Sequence, residues 1–131
     1  MRYLIDTDWV IDHLNEVESV SRRLHELAPE GLALSVISLG ELYEGVYYSR
    51  NPQESEASLQ RFLNRELSLL GIDEETCKIF GRERGRLRNT GQIIGDMDLL
   101  IAATALQYNL TLLSNNRRHF ERIEGLRIES A

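Results

Sequence analysis

Short apolar runs alternate with longer segments of helical spacing along the whole chain. The runs typical of buried strands cover residues 2–6, 32–36, 69–72 and 110–113, and a weaker fifth run covers 126–128. Strands that are separated by helices favour a parallel sheet with helices on both of its faces. We therefore predict a single α/β domain over residues 1–131, built on a parallel sheet of four to five strands.

The predicted helices begin and end at capping residues. Thr7 or Asp8 caps the first, Asn51-Pro52 begins a helix that ends near Leu67, and Asp73 caps a long helix. Further helices are predicted over residues 17–27, 38–48 and 118–122. By default, the aromatic residues of the 38–48 segment are expected in the core: Tyr43, Tyr47 and Tyr48.

Residues 95–106 form the most distinctive stretch of the chain. Asp96 and Asp98 precede eight residues that are apolar apart from Thr104, which predicts a helix buried inside the domain. A carboxylate at the start of such a helix is favoured by the helix dipole. It is difficult to keep charged when buried, however, unless an arginine or a metal ion meets it.

Composition narrows the class of protein. One cysteine, Cys77, two prolines and nine glycines disfavour a disulfide scaffold, a cysteine-based zinc site and a second domain. Such cysteine usage favours a reducing cytoplasm as the compartment. No apolar run is long enough for a signal peptide or a membrane span. The net charge of -6 argues against a surface that binds polyanions in general.

Arginine is nevertheless concentrated in two places. Lys78 is the only lysine, and two groups of arginines lie in predicted helices: Arg82, Arg84, Arg86 and Arg88, and then Arg117, Arg118 and Arg122. Solvated ion pairs with acids such as Glu83 and Glu121 are the simpler interpretation. Contacts to phosphate remain open, because the arginine fork matches phosphate geometry.

Acidic and amide side chains follow the predicted strands. In a parallel sheet, functional groups gather beyond the carboxyl ends of the strands. Asp6 ends the first strand, Glu41 follows the second, Asn116 follows the fourth, and Asp98 opens the helix before it. Several carboxylates in one cleft repel each other unless a divalent cation neutralises them, and oxygen ligands suit Mg²⁺ or Mn²⁺. The pattern therefore predicts a site for a divalent metal ion.

Each acid also has a structural interpretation. Asp6 is placed to cap the first helix, and Glu41 stands three residues after Ser38, as in a capping box. Asp96 and Asp98 are two positions apart and point to nearly opposite sides of a helix. Both can face one site only if Asp96 lies before the helix begins.

Four motifs, taken in order, resemble one family. They are Leu4-Ile5-Asp6-Thr7-Asp8, Ile37–Gly45, Ile94–Ala105 and Leu113–Phe120. Together they resemble the PIN-domain nucleases, and most closely the VapC-type toxins of prokaryotic toxin–antitoxin pairs. The resemblance covers essentially the whole chain. It implies a PIN-like parallel-sheet fold, RNA cleavage that depends on Mg²⁺ or Mn²⁺, a homodimer, and inhibition by a VapB-like antitoxin.

The resemblance also implies roles for single residues. Asp6, Glu41 and Asp98 match the metal-binding acids of the family, and Asp96 is a further candidate ligand. Asn116 stands where many relatives carry an aspartate, so a second metal position is less expected than the first, and the amide is assigned to orient water or substrate. Candidate contacts to an RNA substrate, for which a transfer RNA is plausible, are Ser114, Arg82, Arg86, Arg117 and Arg118.

Two other classes of protein also place acids at strand ends. A response-regulator receiver domain needs a lysine near the site, whereas Lys78 lies inside a predicted helix. A catalytically silent PIN-like interaction module would use the acidic pocket to dock an arginine of a partner. Only metal binding and RNA cleavage separate this module from a nuclease.

Overall fold

Five short strands form one sheet in which every neighbouring pair is parallel. The computed structural model describes all residues from Met1 to Ala131. The strands are β1 (Tyr3–Ile5), β2 (Leu32–Ser35), β3 (Leu67–Leu70), β4 (Thr111–Leu113) and β5 (Ile128–Glu129), in the spatial order β3-β2-β1-β4-β5. The predicted parallel α/β sheet is confirmed.

Seven helices connect these strands. They are α1 (Thr7–Leu14), α2 (Glu18–Leu27), α3 (Val36–Tyr47), α4 (Pro52–Leu63), α5 (Glu74–Asn89), α6 (Asp96–Gln107) and α7 (Arg117–Phe120), and a 3₁₀ turn over Ala28–Glu30 follows α2. Most of their boundaries agree with the predicted ones to within two residues. The exception is the end of α4.

Two apolar cores lie on opposite faces of the sheet, because successive strand residues point to opposite sides. On β1, Tyr3 and Ile5 pack with Trp9 and with apolar residues of α2, α3 and α4. Leu4 points the other way and packs with Leu99 and with apolar residues of α5, α6 and α7. Helices therefore cover both faces, as predicted.

Helix α6 is buried, as its composition predicts. Ile101, Ala102, Ala103 and Ala105 have no exposed surface, so apolar neighbours enclose the helix on nearly every side. The acids that precede this segment, Asp96 and Asp98, both lie in the first turn of the helix.

Helix α3 begins earlier than the sequence predicts. Ser35 ends β2 and also caps α3, since its Oγ accepts the Ile37 N–H at 3.0 Å. The strand therefore passes into the helix without a loop. Ser38, the predicted cap, lies inside the helix, where its hydroxyl is fully buried and has no hydrogen-bond partner.

The third strand lies two residues earlier than predicted, and α4 ends at Leu63 rather than near Leu67. Register with β2 sets this position, because Leu67 pairs with Leu32. As an edge strand, β3 is only partly covered, and Leu69 is 52% exposed.

The tyrosines of α3 are not all in the core. Tyr43 packs partly against it, whereas Tyr47 is 63% exposed and Tyr48 is 88% exposed. For Tyr47, at the end of α3, and for Tyr48, which follows the helix, the default expectation of burial is therefore wrong.

The chain reverses its direction across the sheet between β1 and β4. From β1 it winds outward through β2 to β3, and it then returns to the other side of β1 to form β4 and β5. Loops diverge at such a switch point and leave a crevice beyond the carboxyl ends of the two strands. The loops that follow β1 and β4 carry Asp6 and Ser114.

Candidate active site

Asp6 occupies the centre of the crevice, and backbone and side-chain bonds hold it there. Its N–H donates to the Leu113 carbonyl at 2.9 Å, which ties the end of β1 to the end of β4. Its Oδ1 accepts the Thr7 N–H at 2.8 Å, and its Oδ2 accepts the Ser114 hydroxyl at 2.7 Å. Asp6 therefore caps α1, in place of Thr7 or Asp8, and also presents a carboxylate to the crevice.

Burial dominates the protonation of Asp6. The residue is only 5% exposed, and its pKa is raised from 3.8 to about 7, chiefly because burial disfavours the charged form. The hydrogen bond from Ser114 lowers the pKa, while the charges of Asp8 and Asp98 raise it further. The crevice is thus short of positive charge.

Asp8 is a second acid at this point, and the sequence interpretation gave it only a capping role. Its Oδ2 accepts the Asn115 N–H at 3.0 Å, while its Oδ1 is buried with no hydrogen-bond partner. Burial raises the pKa of Asp8 as well. The signal that identifies it is the Asp-Thr-Asp spacing at the end of a buried strand, where the first acid still lies outside the helix.

A chain of polar contacts joins Asp6 to Asp98. The Ser114 hydroxyl, bonded to Asp6, also accepts the Asn116 N–H at 3.0 Å. The Asn116 Nδ2 atom lies 3.0 Å from His119 Nδ1, which in turn lies 3.1 Å from Asp98 Oδ2. The carboxyl end of β4 and the start of α6 therefore converge on one site, as the sequence predicts for Asp6, Asp98 and Asn116.

Glu41 reaches this site through Thr7. The Thr7 hydroxyl donates to Glu41 Oε1 at 2.7 Å, and the same residue donates its N–H to Asp6. Since α3 begins at Val36, Glu41 stands in its second turn and forms no capping box with Ser38. The structural interpretation of Glu41 as a cap is therefore wrong.

Asp96 points elsewhere. Helix α6 begins at Asp96 itself, so the condition for both acids to face one site is not met. The Asp96 side chain is 78% exposed and lies 2.5 Å from the guanidinium of Arg84, whereas the Asp98 side chain is only 26% exposed. Arg84 therefore pairs with Asp96, whereas Asp98 faces the crevice.

The donor atoms of the crevice suit a hard divalent cation. No three His, Cys, Asp or Glu side chains come close enough together to hold an ion by themselves. Mg²⁺, however, usually binds one or two carboxylates and keeps several waters. The unpartnered Asp8 Oδ1 and the raised pKa of Asp6 both indicate a site in which positive charge is favourable. The residues present therefore fit such an ion.

Comparison with known proteins bears on the whole chain. The PIN domain family model matches residues 3–126. Ribonuclease VapC2 of Rickettsia felis is 35% identical over 132 residues, which cover 99% of this chain and 98% of that protein. The chain therefore belongs to the VapC ribonucleases of the PIN-domain family. The predicted family and PIN-like fold are confirmed.

One further relative and one solved structure agree with this membership. The tRNA(fMet)-specific endonuclease VapC of Salmonella typhimurium is 31% identical, covering 98% of this chain and 97% of that protein. The crystal structure of VapBC2 from Rickettsia felis bound to a DNA fragment from its promoter contains a chain that superposes with a TM-score of 0.93 at 33% identity, covering 100% of this chain and 99% of that one.

The arginines proposed for substrate contacts differ in whether they form hydrogen bonds or ion pairs within the chain. Arg86 bonds Glu83 and the Arg122 carbonyl at 2.7 Å, and Arg117 bonds Glu121 and the Ile128 carbonyl. These two side chains hold the C-terminal segment to the domain. Two others are exposed and form no hydrogen bond or ion pair within the chain: Arg82 and Arg118.

Two supporting residues escaped the sequence interpretation. Trp9 is fully buried, and its indole N–H donates to Asn115 Oδ1 at 3.1 Å, which supports the loop after β4. Thr7 links Asp6 to Glu41, as described above. Neither carries a local signal in the sequence, because each acts through a segment far away in the chain.

Among the helices, none is both long and apolar enough to cross a membrane.

Proposed function

We propose that this protein is a divalent-metal-dependent endoribonuclease, the toxin of a type II toxin–antitoxin pair, that acts in the cytoplasm. The observation that carries the proposal is the crevice at the switch point between β1 and β4. There Asp6 is buried and Asp8 is half-buried beside Asp98, with no arginine or lysine to neutralise them. A charge deficit of this kind is what a Mg²⁺ or Mn²⁺ site requires.

Asp6, Glu41 and Asp98 would hold the ion, directly or through water. A divalent ion in this position supplies a Lewis acid that activates water and offsets the charge that develops on a phosphodiester. Asp96 would contribute only through the local field, because Arg84 already neutralises it.

The residues around the acids have separate tasks. Ser114 orients the Asp6 carboxylate by donating a hydrogen bond to it, and Thr7 orients Glu41 in the same way. Asn116, at the open side of the crevice, is placed to bind water or the RNA backbone. Arg82 and Arg118 are free to contact phosphate, so we assign backbone contacts to them rather than to Arg86 or Arg117.

The partners follow from the relatives. The Salmonella typhimurium relative is a tRNA(fMet)-specific endonuclease, and a structured RNA such as a transfer RNA is therefore the substrate class that we propose here. The Rickettsia felis structure is of a VapBC complex, and a cognate VapB-like antitoxin is the corresponding protein partner. We further propose that the toxin is a homodimer.

Cleavage of a total small-RNA pool by the purified protein tests the function. We expect discrete fragments with Mg²⁺ or Mn²⁺ and none with EDTA. Asp6→Asn and Asp98→Asn should each lower the rate of RNA cleavage at least about a hundredfold, because each removes a negative charge proposed to hold the metal ion. Asp96→Asn is the matched control and should retain most of the activity, since that acid points to Arg84.

Three results would contradict the proposal. Fragments that persist in EDTA would exclude metal dependence, and full activity of Asp6→Asn would exclude this site. Absence of both cleavage and metal binding would exclude the enzyme. The acidic pocket would then be better explained as the dock for an arginine of a partner.

A further inference from the structure

The loop between β4 and α7 consists of only three residues, Ser114, Asn115 and Asn116. Two of them serve the site described above. Ser114 donates a hydrogen bond to Asp6, and Asn116 is proposed to bind water or the RNA backbone. Asn115 stands between these two residues, so its position determines where both of them lie.

A single oxygen of Asn115 joins two other segments to this loop. Its Oδ1 accepts the indole N–H of Trp9, in α1, at 3.1 Å, and the backbone N–H of Ala131, after β5, at 2.8 Å. These donors are 106 and 16 residues away from Asn115 in the chain. The backbone N–H of Asn115 also donates to Asp8 at 3.0 Å, so α1 holds the loop at two points.

Trp9 makes this connection a rigid one. Its side chain has no exposed surface and packs in the core beside Ile5, which gives the indole N–H a fixed position. The oxygen of Asn115 is the only hydrogen-bond acceptor of that N–H group. Because a buried donor without an acceptor is unfavourable, the core itself favours the observed position of Asn115.

The C-terminal segment holds the same loop from another side. The Ser114 N–H donates to the Glu129 carbonyl at 3.0 Å, and the Ser130 hydroxyl donates to the Ser114 carbonyl at 2.7 Å. Both bonds fix the backbone of Ser114 and leave its hydroxyl to Asp6. Within the loop, beyond Ser114, hydrogen bonds to α1 and to the C-terminal segment run only through Asn115.

We propose that Asn115 is a positioning residue for RNA cleavage. By bonding Trp9 and Ala131, its oxygen sets the place of the loop, and the loop in turn directs the Ser114 hydroxyl to Asp6. The inference rests on the proposed function, because both neighbours of Asn115 serve the proposed reaction. A small displacement of such groups is enough to slow catalysis strongly, although Asn115 itself need not touch the substrate.

Steady-state cleavage of a small RNA that the wild type cuts tests this role in Asn115→Ala. The methyl side chain accepts neither N–H group, so we expect kcat to fall at least about tenfold. KM should change by less than about twofold, because the lost bonds do not involve the RNA. The measurement is made at a temperature at which the unfolding curve shows the variant to be fully folded.

Gln107→Ala is the matched control. Gln107 ends α6, at the opposite end of the helix from Asp98, and its side chain also forms two hydrogen bonds, with Thr76 and Asp73. Its replacement should lower the unfolding midpoint and leave kcat unchanged. The pair of variants therefore separates a loss of positioning from a loss of stability.

A spectrum recorded without RNA tests the connection itself. Trp9 is the only tryptophan, so the ¹H–¹⁵N spectrum contains a single indole cross-peak. In Asn115→Ala this proton should move upfield, since it loses its acceptor, and the amide protons of Ser114 and Asn116 should exchange faster with solvent. Asn115→Asp keeps an acceptor oxygen for both N–H groups. It should restore the indole resonance and most of kcat.

The outcomes separate this proposal from the proposed function. A wild-type kcat in Asn115→Ala would overturn the role of Asn115 and leave the nuclease intact. A rise in KM at unchanged kcat would do the same, because it would show that Asn115 binds the RNA directly. Asn115→Asp that is no better than Asn115→Ala would exclude the oxygen as the connecting atom. Absence of cleavage by the wild type would overturn both proposals.

Discussion

Replacement of Asp6 by asparagine should stabilise the metal-free protein at alkaline pH while abolishing its activity. The substitution keeps the size of the side chain and removes its charge. In the wild type the carboxylate is buried with Asp8 and Asp98 nearby, and only the Thr7 N–H and the Ser114 hydroxyl bond it. Without a metal ion, its ionised form opposes folding.

The magnitude follows from the shift in pKa. The pKa of Asp6 rises from 3.8 in a free side chain to about 7 in the fold. At about 1.4 kcal/mol per pKa unit, the ionised carboxylate lowers the free energy of unfolding by roughly 4 kcal/mol as an upper bound. The new amide lowers the free energy of unfolding of the variant by about 1 kcal/mol, because it donates to the Ser114 hydroxyl, which must reorient to accept. A net gain of about 3 kcal/mol remains at pH 8.

The dependence on pH has a definite sign. Below the unfolded pKa both states hold the proton, and Asp6 costs nothing. As pH rises toward 7, the unfolded chain has already released the Asp6 proton while the folded protein still holds it. The free energy of unfolding therefore falls progressively over this range. The stability difference between Asp6→Asn and the wild type should therefore grow by about 2 to 3 kcal/mol between pH 5 and pH 8.

Urea unfolding in EDTA at both pH values measures this difference. Comparing variant with wild type cancels the titrating groups that do not interact with Asp6, such as His13, whose pKa is lowered by burial. Asp73→Asn is the contrasting control: hydrogen bonds from Thr76 and Gln107 lower the pKa of Asp73, so its carboxylate is ionised at both pH values and the effect of this substitution should be the same at pH 5 and at pH 8. That carboxylate contributes stability above its unfolded pKa and loses the contribution as pH falls. A stability difference for Asp6→Asn that is constant with pH, or that shrinks toward pH 8, would refute the reasoning.

Three further predictions concern packing and the arginines. Ser38→Ala should raise the free energy of unfolding by up to about 1 kcal/mol in urea titrations, since the buried Ser38 hydroxyl has no hydrogen-bond partner. A loss of stability would instead show that this hydroxyl forms a stabilising hydrogen bond. Arg86→Ala should destabilise the fold by about 2 kcal/mol by leaving the buried Glu83 unpaired. Arg118→Ala should keep the wild-type unfolding midpoint and weaken RNA binding severalfold in a filter-binding assay. An RNA affinity equal to that of the wild type would show that Arg118 does not contact the RNA.

The sequence by itself determined the class of fold and most of the site. Apolar runs, capping residues and helical spacing are local properties, so β1, β2, α6 and the cap at Asp73 stand close to where the pattern predicts them. Parallel topology then brings strand ends together. This is why Asp6, Asp98 and Asn116 were recognisable as neighbours although about 90 residues separate the first from the second.

Only the tertiary structure decided which acid faces the crevice. The start of α6 at Asp96 turns that side chain to Arg84 and leaves Asp98 toward His119. The sequence allowed either arrangement. A shift of one residue in where a helix begins rotates every side chain by about 100 degrees, and packing against distant segments sets that rotation.

The same reason explains what the pattern missed. Thr7 and His119 act through partners that lie 34 and 21 residues away in the chain. The position of β3 likewise depends on its register with β2 rather than on its own apolar run. Contacts over such separations exist only after the sheet has formed, so neither composition nor spacing encodes them locally.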